Sequence, residues 1–165
     1  MGQFTVTHEI NCDQETFWKT YFDQDFNLRL YKEILQFPDW RILDQSEDET
    51  KITRKVSSQP KMDVPGPVKA LIGSSFRYLE EGTFLKAEGV WRWTMTPSTL
   101  AEKIKTEGKV SLEPLGANRV RRIAQMSVEV RIFGVGGLME SSAEKQLRDG
   151  WEKNAAYMNK TLAGQ

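Results

Sequence analysis

Few side chains in this sequence can do chemistry, and they lie far apart. His8 is the only histidine and Cys12 the only cysteine. An imidazole with an ordinary pKa near 6.5 can act as a general base, but a second polar partner for His8 cannot be assigned from the sequence. A lone histidine in a first strand is more often a satisfied core or rim residue. Cys12 is read as inert packing and not as a nucleophile, because His8 points elsewhere. Arg54 alternates with Ile52 and Val56, and Arg122 with Val120 and Ala124, so both guanidinium groups fall on an inward-facing parity. There each can take a carboxylate or phosphate in bidentate geometry. The competing readings are a bulge that flips the parity, or structural pairing with Glu102 or Asp44. Tyr78 is a candidate acid or base. Glu80, Glu81 and Glu88 stand near strand ends, and the Glu80-Glu81 pair is expected to be solvated.

One histidine and one cysteine cannot furnish an ordinary zinc site, so no metal is expected. Gly134-Val135-Gly136-Gly137 lacks the spacing of a dinucleotide loop and follows an antiparallel strand, so no cofactor is expected either. It reads as a joint between a strand and a helix. Lys plus Arg equals Asp plus Glu at 23 each. No net positive field draws the chain onto nucleic acid or fixes it on anionic lipid. The start MGQFTVTHEI lacks the basic segment and apolar run of a secretory signal, and Val6 stands where a myristoylation motif wants Ser or Thr. A single cysteine excludes an internal disulfide and fits a reducing compartment, so the expected location is cytoplasmic.

The elements that must hold these residues are legible from periodicity. A length of 165 residues suits one domain, expected over 1–165. Phe4, Val6, His8 and Ile10 alternate with polar residues as a half-buried strand does. Asn11 or Asp13 can cap a short helix carrying Phe17, Trp18, Tyr21 and Phe22, and a second helix runs from Phe26 to Leu35 before Pro38. Strands follow at Trp40 to Gln45 and Lys51 to Gln59, then a loop from Pro60 to Gly73 with one helical turn, read as a mobile flap. Four further runs, near Ser75 to Glu81, Leu85 to Thr96, Leu100 to Glu113 and Arg119 to Phe133, bring the count to about seven strands. The chain closes on an amphipathic helix of about seven turns. Its stripe is Leu138, Met139, Ala143, Leu147, Trp151, Ala155, Met158 and Leu162, and Gly164 offers a stop.

A strand, two short helices, six more antiparallel strands and a long terminal helix make up an α+β, helix-grip order. With Val6-Thr7-His8-Glu9-Ile10, Asp13-Gln14-Glu15-Thr16-Phe17-Trp18 and the Leu147 to Leu162 stripe, the sequence resembles the START-like, or Bet v 1-like, superfamily (SRPBCC, polyketide cyclase and lipid transport). Its texture is similar to an uncharacterised bacterial START-like family. Lys51-Ile52-Thr53-Arg54 and Pro67 to Gly73 bear a looser similarity to PRELI-type phospholipid transfer proteins. The resemblance implies a curved sheet around the terminal helix and a hydrophobic cavity between them. That cavity would take a lipid or another apolar or amphipathic molecule.

On that reading Trp91, Trp93, Met95, Ile104, Met126, Val128, Val130, Leu147, Trp151, Ala155 and Met158 line the cavity. A Trp or Met stripe is as readily core packing, so the set rather than any one residue carries the expectation. His8, Arg54 and Arg122 are the candidate contacts to a polar head group, such as that of an anionic lipid. Binding or transport without catalysis is the first reading, with transient membrane contact and no stable insertion. The alternatives are a cyclase- or dehydrase-like enzyme using His8, Arg54 or Tyr78, and a protein-interaction module of the same fold.

Overall fold

The computed structural model describes residues 2–164; Met1 and Gln165, included in the expected 1–165 domain, lie outside the described residues. Seven strands form one antiparallel sheet: β1 (Gly2–Ile10), β2 (Asp39–Glu47), β3 (Lys51–Gln59), β4 (Tyr78–Leu85), β5 (Val90–Pro97), β6 (Ile104–Pro114) and β7 (Val120–Val130). Their spatial order is β1-β7-β6-β5-β4-β3-β2, so only the β1–β7 pairing joins strands distant in sequence. Helices α1 (Gln14–Tyr21) and α2 (Gln24–Arg29) follow β1, α3 (Gly66–Ile72) lies between β3 and β4, and α4 (Gly136–Ala163) closes the chain. This is the helix-grip order.

Asp13, not Asn11, caps α1 by accepting from the Thr16 amide at 2.8 Å, and Asp23 caps α2 by accepting from Phe26 at 2.7 Å. Both are the N-cap exchange that short polar side chains make with an orphan amide. The second helix ends differently from its periodicity. Residues Leu30–Ile34 widen into a π-helical turn, and Gln36 closes it at φ 58°. That turn stacks Tyr31 on Trp40 with centroids 4.6 Å apart and planes at 5°.

The expected boundary between the fourth and fifth strands moves, and Gly82 is the reason. Read as part of a turn, it is mid-strand, and the turn falls instead at Lys86 to Gly89, where Gly89 takes φ 69°. A Cβ on Gly82 would meet Trp91 Cη2 at 2.3 Å, and one on Gly108 would meet Trp93 Cζ2 at 2.5 Å. The missing side chains let the two indoles lie across neighbouring strands, a use of glycine for close packing inside a sheet. The sixth strand likewise begins later than expected, because Leu100 sits in a turn at φ 59°.

One face of the sheet carries the core. Helix α4 packs chiefly on β1 and β7 and touches the π-helical turn. Met139, Ala155 and Met158 are buried there, Leu147 and Trp151 are half-buried, and Leu138, expected in the stripe, is exposed. The segment 60–73 forms a strap whose helix α3 begins at Pro65-Gly66-Pro67 and buries Val68 against the core.

Candidate functional site

Inward-facing residues change character from one end of the sheet to the other. On β5, Trp91 is 0% and Trp93 4% exposed, whereas Met95 is half-buried. On β4, Phe84 and Glu80 are buried and Tyr78 is partly open; on β6, Val110 is buried and Ile104 partly open. Register puts Tyr78, Met95 and Ile104 near the same end of neighbouring strands, where Tyr78 pairs with the buried Pro97, Met95 with the half-buried Thr106, and Ile104 with the buried Val130. They lie at the strand ends from which the strap and α4 both depart. Met126 and Val128 are buried on the same face of β7, and Val130 sits at its open end.

The inward parity of Arg122 and Arg54 is observed, and each sits in a different environment. Arg122, wholly buried on β7, joins sheet to helix. Its Nη1 donates to Asn154 Oδ1, and its Nη2 donates to the Trp151 carbonyl at 2.8 Å and lies 3.1 Å from His8 Nδ1. The guanidinium carbon stands 4.7 Å from the Trp151 ring centroid. Among the described residues no carboxylate lies within ion-pair distance of it, and its Nε has no partner. Burial lowers the Arg122 pKa to about 10, still well above neutrality. Burial, and then the Arg122 charge, lower that of His8, against an opposing influence from Glu152. His8 is therefore a neutral imidazole at pH 7, poised to accept from Arg122.

Arg54 is held by aromatic rings. Its guanidinium lies 5.1 Å from the Trp91 centroid, 5.4 Å from Tyr21 and 5.6 Å from Phe22, and Nη1 donates to the Tyr21 carbonyl at 3.3 Å. Such contacts stabilise a desolvated cation without a full counter-charge. Neither Glu102 nor Asp44 is its partner. That position belongs to Glu80, with Oε1 3.7 Å from Arg54 Nη2. The expectation that Glu80 is solvated like Glu81 fails. Alternation puts Glu80 on the inner face with Tyr78 and Phe84, and leaves Glu81 outside, 3.9 Å from Lys55. Burial raises the Glu80 pKa despite the opposing Arg54 charge. Burial also raises the phenols of Tyr21, Tyr31 and Tyr78.

Sequence reasoning did not single out Asn154 or Tyr31, and it named Glu80 only as a solvated carboxylate. The signal for Glu80 was its parity; for Asn154 it was a position one residue before Ala155 on a helix whose buried face is broad. Cys12 is buried, which raises its thiol to about 11 and keeps it protonated. Among the described residues no group of three or more His, Cys, Asp or Glu is placed to hold a metal ion, and no helix is long and apolar enough to cross a membrane. Two surface depressions, of about 970 and 340 Å³, are lined mainly by outward-pointing residues such as Thr53, Thr83 and Lys109, and Lys105 and Glu129.

The architecture is shared with solved structures at low identity. A START superfamily protein from Mycobacterium smegmatis superposes with a TM-score of 0.58 and 16% identity, over 98% of this chain and 97% of that one. An aromatase/cyclase from Streptomyces sp. R1128 gives 0.58 and 15% over 99% and 92%. Norcoclaurine synthase from Thalictrum flavum, in complex with dopamine and hydroxybenzaldehyde, gives 0.64 and 12% over 99% and 87%. No curated protein matches the chain by sequence. Residues 5–162 match the family described as Protein of unknown function (DUF2505), and the chain belongs to that family, with a START-like, helix-grip fold.

Proposed function

We propose that this protein binds an apolar or amphipathic small molecule, such as a lipid, between the inner sheet face and α4, and that the ligand enters beneath the strap at 60–73. The observation that supports this is confined to the three central strands: on β4, β5 and β6 the inner face passes from fully buried Trp91 and Val110 to half-open Tyr78, Met95 and Ile104, while β3 and β7 on either side stay buried. The wall of the site is Trp91, Trp93, Met95, Ile104, Met126, Val128 and Val130 from the sheet, and Leu147, Trp151, Ala155 and Met158 from α4. His8, Arg54 and Arg122 are the basic side chains on this face, and Arg122 in particular carries a buried charge without a carboxylate partner among the described residues. An anionic head group fits that deficit. We place the protein in the cytoplasm, working without a cofactor, nucleic acid or membrane insertion; its buried, protonated thiol suits a reducing compartment.

Native mass spectrometry of the purified protein tests the binding reading. A co-purifying small molecule, or one taken up from fatty acid, phospholipid or aromatic mixtures, is the expected result. A spectrum that stays at the apo mass with every class, with no thermal shift, overturns it.

A second reading is favoured by one observation. Tyr78, Glu80 and Arg54 bring a phenol, a carboxyl and a guanidinium to adjoining positions on two paired strands, the kind of convergent set that acid–base chemistry on a hydrophobic metabolite requires. Turnover of an offered ligand, read as a mass change in the extracted molecule, separates that enzyme from a carrier.

A further inference from the structure

Charged residues that face each other across strands on the outer side of the sheet are matched in sign. Asp44 stands opposite Lys55, Lys55 opposite Glu81, Lys105 opposite Glu129, and Arg121 opposite both Glu9 and Glu113. Such pairs stabilise a sheet, and like charges in the same positions destabilise it. Arg92 of β5 and Lys109 of β6 break the pattern, because register sets them directly opposite each other. Arg92 is exposed and reaches Glu88 of the adjoining turn at 3.1 Å through one nitrogen. Lys109 is half-buried, and among the described residues its ammonium has neither an ion pair nor a hydrogen bond. The carboxylates that border it are engaged elsewhere: Lys105 holds Glu107 at 3.8 Å and Lys55 holds Glu81 at 3.9 Å. The row that contains the two cations continues with neutral donors. Thr83 and Thr53 lie beyond Arg92, and Gln125 and Thr5 beyond Lys109. All six residues line the outer depression of about 970 Å³.

We propose that Arg92 and Lys109 form a second site, on the outer face of the sheet, for the phosphate group of a small soluble monoester. Residues opposite each other in an antiparallel pair have Cα atoms roughly 5 Å apart, so one tetrahedral dianion reaches both cations and ends their repulsion. The guanidinium serves two oxygens as a fork and the ammonium a third as a point charge. The hydroxyls of Thr83 and Thr53 and the amide of Gln125 supply further donors along the same row. A carboxylate has too few oxygens to use them. The flanking rows set the size and shape of the ligand. On one side Glu81 and Glu107 face outward on either side of Thr94, and their charge opposes a longer polyanion. On the other side the outward residues are Leu85, paired with Val90, and Ile123, two residues before Gln125 on β7. All three are half-buried or exposed, so the organic part of the ester has an apolar surface to lie on.

Isothermal titration calorimetry at pH 7.5 with phenyl phosphate, inorganic phosphate and benzoate tests the site on the wild type and on Lys109→Gln, Arg92→Gln and Lys105→Gln. The wild type should bind phenyl phosphate more tightly than either of the other two probes. Lys109→Gln and Arg92→Gln should each weaken that binding by about tenfold, the loss of one charge-assisted contact. Lys105→Gln removes the same charge from a residue already paired with Glu107, and should bind as the wild type does. Absence of binding to the wild type, or an equal loss in Lys105→Gln, would overturn the proposal. So would an affinity that neither Lys109→Gln nor Arg92→Gln changes; that result would put the anion on the inner face and leave the binding reading standing. Benzoate binding as tightly as phenyl phosphate would overturn the choice of phosphate, and inorganic phosphate doing so would overturn the choice of an ester. Sedimentation with phosphatidylcholine vesicles carrying phosphatidic acid should give the same result for wild type and Lys109→Gln. Vesicle retention that Lys109→Gln abolishes would assign the phosphate to a lipid surface and overturn the soluble ligand.

Discussion

Arg122 of β7 and Trp151 of α4 are joined twice: the guanidinium donates to the Trp151 carbonyl at 2.8 Å and covers its indole at 4.7 Å. One side chain therefore fixes where along its length the terminal helix meets the sheet. Asn154, a turn later, accepts from the other Nη nitrogen, and His8 of β1 completes the junction. An arginine is suited to this because its planar fork serves several acceptors while one face lies against an aromatic ring.

Replacing Arg122 by Ala should therefore cost about 3 kcal/mol, since it leaves Asn154 and the Trp151 carbonyl buried without their donor. Arg122→Lys should recover only part of this, because an ammonium lacks both the fork and the flat face. Urea denaturation of the two variants checks the order. Equal stability of wild type and Arg122→Ala would show that the junction is not what seats the helix.

Gly82→Ala and Gly108→Ala are each expected to destabilise by about 1–3 kcal/mol, the usual cost of overpacking. The added methyl meets an indole carbon at 2.3 or 2.5 Å and a strand carbonyl oxygen at 2.9 or 2.8 Å. The displaced Trp91 or Trp93 gains contact with water, so tryptophan emission should move to longer wavelength in both variants. Wild-type stability together with unshifted emission would contradict the packing role.

The His8 pKa is lowered in the folded protein, first by burial and then by Arg122, from an ordinary value of 6.5. Below pH 6.5 the unfolded chain thus binds the proton that the folded chain resists. The stability associated with a neutral His8 is present above that pH and is lost as pH falls toward the lower folded value. Denaturation of the wild type and His8→Gln between pH 7.5 and 5 should show a steeper decline for the wild type. Parallel curves would mean that the imidazole is not held neutral.

The strap is tied to the terminal helix by Gln146 Nε2, which donates to the Asp63 carbonyl at 3.0 Å, and to the π-helical turn by Lys61 Nζ, which donates to Gln36 Oε1 at 3.1 Å. Both bonds are exposed, so Gln146→Ala should change global stability by less than about 0.5 kcal/mol. Amide hydrogen exchange across 60–73 should nevertheless accelerate. Val68→Ala, which removes the buried plug of α3, should do the same and also lower the melting temperature. Unchanged exchange in Gln146→Ala would rule out the tether.

The sequence alone determined the order of elements, the antiparallel strands and the long amphipathic helix, and it offered an inward parity for Arg54 and Arg122 beside a bulge that would reverse it. These follow from period-2 and period-3.6 patterning, which depends on near neighbours in the chain. It could not place the β4–β5 turn, because a glycine beside a turn and a glycine beneath an indole look alike until Trp91 is known to cross Gly82. Alternation put Glu80 and Glu81 on opposite faces but did not say which of the two is buried. Their difference lies in which face the strand turns toward Arg54, a residue on another strand. The partners of Arg122 come from β1 and α4, at separations of 114 and 29–32 residues. Only the tertiary structure brings such groups together, because the identity of a buried charge's partner is decided by packing across the whole sheet and not by spacing along the chain.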